Sequence, residues 1–350
     1  MGPMKSIILL DRNSEVFQMV TETMREVFYR TLNWKLNRCL APGRICKEKA
    51  IRAHSVQNAR TMDLLARNGH VKAIKLIIEQ GSGPSVRFED VGRNLASTFE
   101  GFCAAHDTSL FLPIDSRPLD INNEQQLFLY AYRSIARETH AEIEAASKIQ
   151  SAYQYRISIK FDIGLNSEQA GMEALGHMMN AYETWQYKSK LDKALLAHRY
   201  KGLLHDVILL DQTKPCIAVS SFFSLEGRHR DSNIASRPDS LFVEASEDDK
   251  ITRLTINVFP VSLNESVIIF SYTKDDSSRV RDFLQPIFAA QGFYQKYLLS
   301  KLILMGCENF FVSPNLYDSW SSEKKNAIKD FFWKTRRHNM EAEDQNLFLF

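Results

Sequence analysis

Three cysteines and a histidine, within the first third of the chain, have the residue types and spacing of a metal site. Cys39 and Cys46 are separated by six residues, and Cys103 is followed three positions later by His106. Thiolate sulfur and imidazole nitrogen are ligands that Zn²⁺ prefers, and a structural zinc ion takes four of them in a tetrahedron. Because each pair is closed by a short loop, the entropy cost of assembling the set is small. The four residues therefore predict a structural zinc site.

The cysteines also permit an interpretation without metal. Cys39 and Cys46 can be small core side chains, and His106 can cap a helix. Cys216 lies in an apolar stretch and Cys307 near the end of an apolar helix, so both are predicted to be buried thiols. Five cysteines are an odd number, which argues against a disulfide framework and favours a reducing compartment. We therefore expect a cytoplasmic protein.

Positive charge is concentrated around the predicted zinc site. The whole chain has a formal net charge of +2, but residues 30–75 contain eleven Lys and Arg residues against only Glu48 and Asp63, a net charge of +9. Five of these cations are predicted to bind nucleic-acid phosphates: Arg44, Lys47, Lys49, Arg52 and Arg60. The alternative is a basic face that only contacts solvent.

Hydropathy predicts no membrane partner. No run reaches the roughly 18 apolar residues that a membrane helix needs. The longest candidate, Tyr297 to Cys307, is interrupted by Ser300 and Lys301, and the apolar run Ile7 to Leu10 is too short for a secretory signal. The composition, 44% hydrophobic and 25% charged, is that of a globular protein, and 350 residues are enough for two domains.

Short elements must position the four ligands. Ala41-Pro42-Gly43 lies between the first two cysteines and predicts a tight turn, as a backbone knuckle around an ion requires. The run 71–79 fits either helix or strand, and its β-branched residues favour strand. The other elements expected in this part are a strand or lead-in over 4–10, a helix over 15–38, a strand over 50–56, a helix over 59–68 and a strand over 86–88.

Prolines 113 and 118 indicate a boundary, so we expect a first domain over residues 1–118 and a second over 119–350. The sequence of the second domain predicts two long helices that form a hairpin, over 124–155 and 167–204. Short apolar runs then predict an antiparallel sheet with strands over 206–210, 216–223, 241–244, 251–259 and 266–272. A polar loop is expected over 227–239, and covering helices are expected over 277–290, 293–305 and 321–334.

The order of these residues resembles the HNH endonuclease family. Its zinc-supported members carry a cysteine pair, then a histidine on a strand, then an asparagine, and finally a second Cys-x-x-Cys or Cys-x-x-His pair. Here His54 follows Cys46 by eight residues, and Asn94 precedes Cys103 by nine. The resemblance covers roughly 70 of the 350 residues. It implies an α+β protein with an N-terminal zinc-stabilised module of ββα-metal or treble-clef type, followed by the helical hairpin and the sheet with its covering helices.

The same resemblance implies residue roles. His54 would be the base that activates water, Asn94 would orient the module, and a catalytic Mg²⁺ or Mn²⁺ would hold the scissile phosphate. Members of the family carry a closing histidine on the helix after the second ligand pair. This chain departs from them, because Leu110 and Phe111 stand at that place. Asp107 is a candidate substitute for that histidine, although it directly follows the predicted zinc ligand His106.

Two functions follow as hypotheses. The first is a metal-dependent HNH-like endonuclease acting on DNA or RNA, and its architecture resembles that of bacterial phage-defence effectors. The second is a non-catalytic zinc module that binds nucleic acid or a protein partner, with the C-terminal domain as sensor or scaffold. The missing closing histidine favours the second, and the basic segment fits both.

Other histidines offer weaker alternatives. His70 is either another ligand or base, or a histidine in a turn. Arg133 and His140 have the Arg-x6-His spacing found in HEPN ribonucleases, although Ser134 stands where that motif has a more typical polar residue. An arginine and a histidine on such a helix are more often exposed or ion-paired.

Overall fold

The structure, a computed structural model, describes residues 31, 33–43, 46–79, 83–158, 165–225, 251–337 and 347–350. It combines helices with antiparallel strands, which confirms the α+β class. The strands are β1 Ile51–His54, β2 His70–Glu79, β3 Gly83–Gly92, β4 Thr98–Phe102, β5 Leu203–Asp211, β6 Ile217–Ser224, β7 Arg253–Pro260, β8 Glu265–Thr273 and β9 Phe310–Val312. A short helical stretch, Asn58–Met62 continued by Asp63–Leu65, falls in the region of the helix expected over 59–68 and ends earlier, at Leu65. The helices after β4 are α1 Ala104–Asp115, α2 Glu124–Ser158, α3 Leu165–Leu196, α4 Ser277–Ala289, α5 Gly292–Gly306, α6 Pro314–Asp318 and α7 Ser322–Arg337.

Seven strands form one antiparallel sheet, in the order β3-β2-β9-β6-β7-β8-β5. The strand expected over 71–79 is confirmed as β2, which pairs with β3 along its whole length. The short strand β9 pairs with β2 on one side and β6 on the other. Strands from both sides of residue 118 therefore share this sheet.

A separate two-stranded antiparallel sheet pairs β1 with β4, and helix α1 follows β4 directly in the chain. His54 at the end of β1 is opposite Thr98 at the start of β4. Ring contacts continue from β4 to α1, because Phe102 lies 5.2 Å from Phe111, centroid to centroid. The strand pair and the helix thus pack as one unit.

The large sheet has an apolar core on each of its two faces. Successive side chains of a strand point to opposite sides, so one strand contributes residues to both cores. In β8, Ile268 and Phe270 belong to a core with residues of α4, α5 and α7. Their neighbours Val267 and Ile269 belong to a second core with residues of α1, α2 and α3. This second core also contains Cys39 and Cys103, so two of the predicted metal ligands are part of the same apolar layer.

The chain forms two compact units: Met1–Leu36 with Glu142–Tyr182, and Asn37–Ala141 with Glu183–Phe350. Residue 118 lies inside the second unit. In the first unit, Tyr153 of α2 lies against Gly171 of α3. In the second, the Tyr132 hydroxyl of α2 donates to Asp192 of α3 at 2.6 Å. The later part of α2 therefore contacts the early part of α3, and the early part of α2 contacts the later part of α3. This is the arrangement of the expected antiparallel hairpin.

Two expected helix ends are wrong. Residues 34–40 are not helical, because the Leu36 N–H donates to the Glu144 carboxylate at 2.9 Å and the Leu40 N–H to the Gly101 carbonyl at 2.7 Å. In a helix that continued to Arg38, the Leu36 N–H would instead donate to the carbonyl four residues earlier in the chain. Helix α3 ends at Leu196 instead of residue 204, because the chain from Leu203 pairs with β8.

Several predictions lie outside the described residues: the segments 4–10, 227–239 and 241–244, residues 15–30 of the expected first helix, and Arg44. The described part of the chain contains no helix with both the length and the apolar run needed to cross a membrane.

Candidate metal centre and adjoining polar site

The structure brings the four predicted ligands together. The sulfurs of Cys39, Cys46 and Cys103 and a ring nitrogen of His106 all lie within 4.8 Å of one another. Cys39 and Cys103 are buried, whereas Cys46 and His106 are half-buried. We call these four residues the metal centre. Because thiolates and imidazole are zinc ligands, the centre can hold a metal ion such as zinc.

Three of the six distances between the ligand atoms are close to those of a tetrahedral zinc site, and all six are within 4.8 Å. Metal–sulfur and metal–nitrogen bonds of zinc require edges of about 3.8 Å between two sulfurs and about 3.5 Å between sulfur and nitrogen. The Cys46 and Cys103 sulfurs are 3.8 Å apart. His106 Nδ1 lies 3.4 Å from the Cys39 sulfur and 3.2 Å from the Cys103 sulfur. All five cysteines are free thiols, so no disulfide competes for these sulfurs.

The described residues 39–43 and 46, called here the knuckle loop, depend on two glycines. Gly43 has φ of +98°, a left-handed conformation that L side chains rarely adopt, and it makes the turn between the cysteines. The Gly101 carbonyl in β4 accepts a hydrogen bond from the Leu40 N–H, and this bond anchors the loop. A Cβ on Gly101 would lie 2.5 Å from the Phe99 ring, so this close approach requires glycine.

The other two ligands come from the start of α1. Cys103 is the residue before the helix, and His106 lies in its first turn. Burial raises the pKa of the Cys103 thiol, but hydrogen bonds from the His106 backbone and from neighbouring thiols outweigh it, so the pKa lies below its usual value. The Cys103 N–H in turn contacts the Cys39 sulfur at 3.3 Å. The helix start thus favours the thiolate form that a metal needs.

His54 belongs to the same β1–β4–α1 unit as the metal centre, at the end of β1 that pairs with the start of β4. Its Nδ1 is 3.1 Å from the Ala96 carbonyl and 3.4 Å from the Ser97 hydroxyl. A carbonyl only accepts, so Nδ1 carries the proton and Nε2 keeps its lone pair. Burial lowers the pKa of His54, against the Ala96 bond, which raises it. His54 is therefore neutral near pH 7, with Nε2 ready to accept a proton or a ligand.

Ser97 holds the turn that fixes His54. Its φ is +60°, which is uncommon for a residue with a side chain. The Ser97 carbonyl accepts from the Ser55 N–H at 2.9 Å, and its hydroxyl donates to the Val56 carbonyl at 3.2 Å. Asn309, next to β9, donates to the Ser55 hydroxyl at 2.9 Å. The end of β1 is thereby tied to the large sheet.

Three further side chains complete what we call the polar site, which consists of His54, Asp107, Asp115 and Arg133. Arg133 and Asp115 are hydrogen-bonded to each other, and their charges act on the pKa of His54 and on that of Asp107. Burial raises the pKa of Asp107, and Arg133 lowers it in part. Asp107 Oδ1 is buried, and no hydrogen bond reaches it from any residue that the structure describes.

Arg133 and Asp115 form an ion pair through two hydrogen bonds, while Arg133 Nε is buried without an acceptor among the described residues. The two guanidinium nitrogens donate to the two carboxylate oxygens at 2.9 and 2.6 Å. The guanidinium also lies 4.0 Å above the Phe111 ring, measured to its centroid. Arg133 is therefore ion-paired, which is the simpler of its two expected interpretations. His140 is buried and packs edge-on against Phe99 at 5.8 Å.

Asn94 is placed in the turn that also contains Ala96 and Ser97. Its side chain is exposed, and its Oδ1 accepts from Asn58 Nδ2 at 2.9 Å. No contact in the described part of the chain joins Asn94 to His54. Its expected orienting role remains a prediction.

The basic segment divides into two groups. On the β2 side, three cations have acidic partners: Arg67 with Asp318, Lys72 with Asp90, and Lys75 with Glu89. Near the knuckle loop, Lys47, Lys49 and Arg52 are exposed, and none has an acidic partner among the residues described. Arg60 donates to the Ser116 carbonyl at 2.9 Å. Uncompensated positive charge is thus concentrated beside the metal centre.

The remaining candidates are structural. His70 is exposed, and its Nδ1 lies 2.9 Å from the Asn68 carbonyl within a turn. Cys216 and Cys307 are buried in the large core, away from the four metal ligands. Phe111, at the place of the missing closing histidine, is fully buried.

No protein-family model matches the chain, and neither the curated proteins nor the solved structures contain a match to it. The site therefore has to be interpreted from its own geometry. Sequence reasoning missed Asp115 and Ser97, and no local motif around either residue indicates a role.

Proposed function

We propose that the chain is a metal-dependent nucleic-acid endonuclease of HNH-like type, with a structural zinc ion in the metal centre. One observation carries the proposal: the Ala96 carbonyl fixes the tautomer of His54 so that Nε2 is a free base. The order of strand, strand and helix around it, with metal ligands at both the knuckle loop and the helix start, fits a ββα or treble-clef module.

Asp107 is the second element of the proposal. It follows the ligand His106 directly, and its buried Oδ1 lacks a partner among the residues that the structure describes. A carboxylate oxygen is a ligand that Mg²⁺ or Mn²⁺ prefers. We assign to Asp107 the role of holding such an ion, in place of the absent closing histidine. The ion would supply the positive charge that offsets the charge developing on the phosphate.

The reaction is hydrolysis of a phosphodiester. His54 Nε2 takes a proton from a water molecule, and the water oxygen attacks phosphorus. The P–O bond to the leaving sugar oxygen breaks, and that oxygen takes a proton from solvent. Lys47, Lys49 and Arg52 bind neighbouring phosphates, which positions the substrate without reading its sequence.

Cleavage of plasmid DNA and of a structured RNA, in Mg²⁺ and in Mn²⁺, tests the proposal. We expect His54→Ala and Asp107→Asn each to reduce the cleavage rate by about 10²-fold or more, the usual contribution of a general base. His70→Ala is the matched control, because His70 is exposed and lies in a turn. Equal cleavage by wild type and His54→Ala, with zinc retained by both, would contradict the proposal.

A non-catalytic zinc module that binds nucleic acid is the second candidate. Phe111 favours it, because a buried phenylalanine stands where the family has a metal-binding histidine. In that case wild type binds nucleic acid and cleaves none. Binding through Lys47, Lys49 and Arg52 should weaken steeply with salt. A salt-independent affinity would exclude phosphate contacts.

A further inference from the structure

Lys188 is a buried lysine whose ammonium group reaches the knuckle loop. It lies on α3 with a side chain only 3% exposed, and Nζ donates to the Leu40 carbonyl at 2.7 Å. Leu40 directly follows the metal ligand Cys39. The same ammonium donates to the Tyr132 oxygen at 3.0 Å and to the two Asp192 carboxylate oxygens at 2.7 and 3.0 Å.

These contacts close a network between three parts of the fold. The Tyr132 hydroxyl accepts from Lys188 and donates to Asp192 at 2.6 Å, which links α2 to α3. The Leu40 carbonyl is the one acceptor in this network that belongs to neither helix. An ammonium group removed from water is costly unless its donors are satisfied. The network satisfies them, and it directs one donor at the knuckle loop.

The metal centre needs positive charge nearby. Zn²⁺ with three thiolates and a neutral imidazole carries a net charge of about −1. Excess charge in a buried site is costly unless cations or hydrogen-bond donors offset it. The charges of Lys188 and Cys39 act on each other, so the lysine is close enough to supply this compensation.

We propose that Lys188 is a positioning residue for the metal centre, which fixes the Leu40 carbonyl and offsets the thiolate charge, so that metal retention depends on its ammonium group. The inference rests on the zinc-binding part of the proposed function and is independent of cleavage. By linkage, a bound metal also stabilises the packing of residues 183–196 of α3 against the knuckle loop.

Zinc release from the full-length chain tests this inference. The zinc-loaded protein is mixed with excess chelator, and the released zinc is followed with a coloured zinc indicator. We expect Lys188→Met to release zinc about tenfold faster or more, the usual effect of removing a group that supports metal ligands. Lys188→Arg keeps the charge and should retain part of the wild-type half-life. Lys190→Met is the control, because Lys190 is exposed on the same helix.

Melting temperatures with and without zinc separate positioning from general stability. A positioning role predicts that the rise in melting temperature caused by zinc is smaller in Lys188→Met than in wild type. If Lys188→Met does not fold, Lys188→Gln replaces it, because glutamine keeps a donor for the Leu40 carbonyl but has no charge. Zinc release at the wild-type rate from either folded variant would overturn the proposal, whatever the outcome of the cleavage assays.

Discussion

The metal centre and the polar site share helix α1, yet their atoms are satisfied in different ways. In the metal centre, the four ligand atoms converge on one point within 4.8 Å of one another. In the polar site, Arg133 and Asp115 form an ion pair, but Arg133 Nε and Asp107 Oδ1 are buried without a partner among the described residues. The hydrogen bonds of the His54 ring within the described part of the chain all involve Nδ1, which leaves Nε2 open. Four protein ligands around one point are typical of a structural ion, which needs no further ligand. Polar atoms without a hydrogen bond are typical of a place where a molecule or ion from outside the chain binds. One stretch, Cys103 to Asp107, thus serves both kinds of site.

The largest expected effect comes from Cys103→Ala, because this residue contacts the other three ligands. We expect the zinc content to fall from about one ion per chain to near zero, since three remaining ligands hold zinc far more weakly. Elemental analysis of the purified protein measures this. Cys216→Ala is the control, a buried thiol outside the centre. Similar zinc loss in both variants would contradict the assignment of Cys103 as a ligand and of Cys216 as a core cysteine.

Arg133→Met tests whether the polar site is independent of the metal centre. It leaves Asp115 without its bidentate partner, so we expect the free energy of unfolding to fall by about 2–3 kcal/mol, below the usual cost because Asp115 is 37% exposed. Urea denaturation measures it, with zinc content determined in parallel. Lys72→Met is the control, because it breaks a pair with an exposed partner and should cost less than about 1 kcal/mol. Loss of zinc from Arg133→Met would show that the two sites form one.

Gly101→Ala acts at the strand between the two sites. Its Cβ would lie 2.5 Å from the Phe99 ring, so we expect overpacking to reduce the free energy of unfolding by about 1–3 kcal/mol. Gly92→Ala, which meets nothing within 4 Å, is the control and should change little. Urea denaturation of both variants gives the comparison. Equal stability of the two would mean that β4 can move away from Phe99.

The last expected effect is a pH dependence from two half-buried histidines. Burial lowers the pKa of His205 to about 4 and lowers that of His54 as well. In the unfolded chain both titrate near a pKa of about 6.5. Below that pH the unfolded chain binds more protons, so the free energy of unfolding falls as the pH falls, by at most about 1.4 kcal/mol per pH unit and histidine. Above a pH of about 6.5 the full stability is present.

Urea unfolding at pH 7, 6 and 5 measures this slope, with zinc content checked at each pH. His54→Gln should remove the part of the slope that His54 contributes, and His205→Gln should remove the part that His205 contributes. His70→Gln should leave it unchanged, because that histidine is exposed. A slope that none of these variants alters would assign the pH dependence to other groups.

The two sites also differ in how far the sequence predicted them. The metal ligands were predictable, because cysteine and histidine at such short spacing are typical of zinc sites and each pair is local. The pairing of Arg133 with Asp115 was not, because it depends on how α1 packs against α2. The same holds for Lys188, which reaches the knuckle loop across 148 positions of sequence.

Local pattern also predicted most elements of the sheet and its covering helices. It failed where distant partners decide the structure. Residues 34–40, expected to end or follow the first helix, bond to Glu144 and Gly101 instead, and β5 takes the last residues expected in α3. Strand β9 has only three residues, which is too short for a periodic pattern to show.

Strand β9 has a consequence for the order of folding. It is the strand that joins the hairpin β2–β3 to the rest of the sheet, and its residues 310–312 follow the hairpin by more than two hundred positions. During synthesis the hairpin is therefore made long before its neighbour, and the β2 edge stays open in the meantime. Contacts so distant along the chain slow folding and leave edges exposed to association with other chains. A ribosome-bound chain that stops before residue 310 should thus depend on chaperones more than the completed protein does.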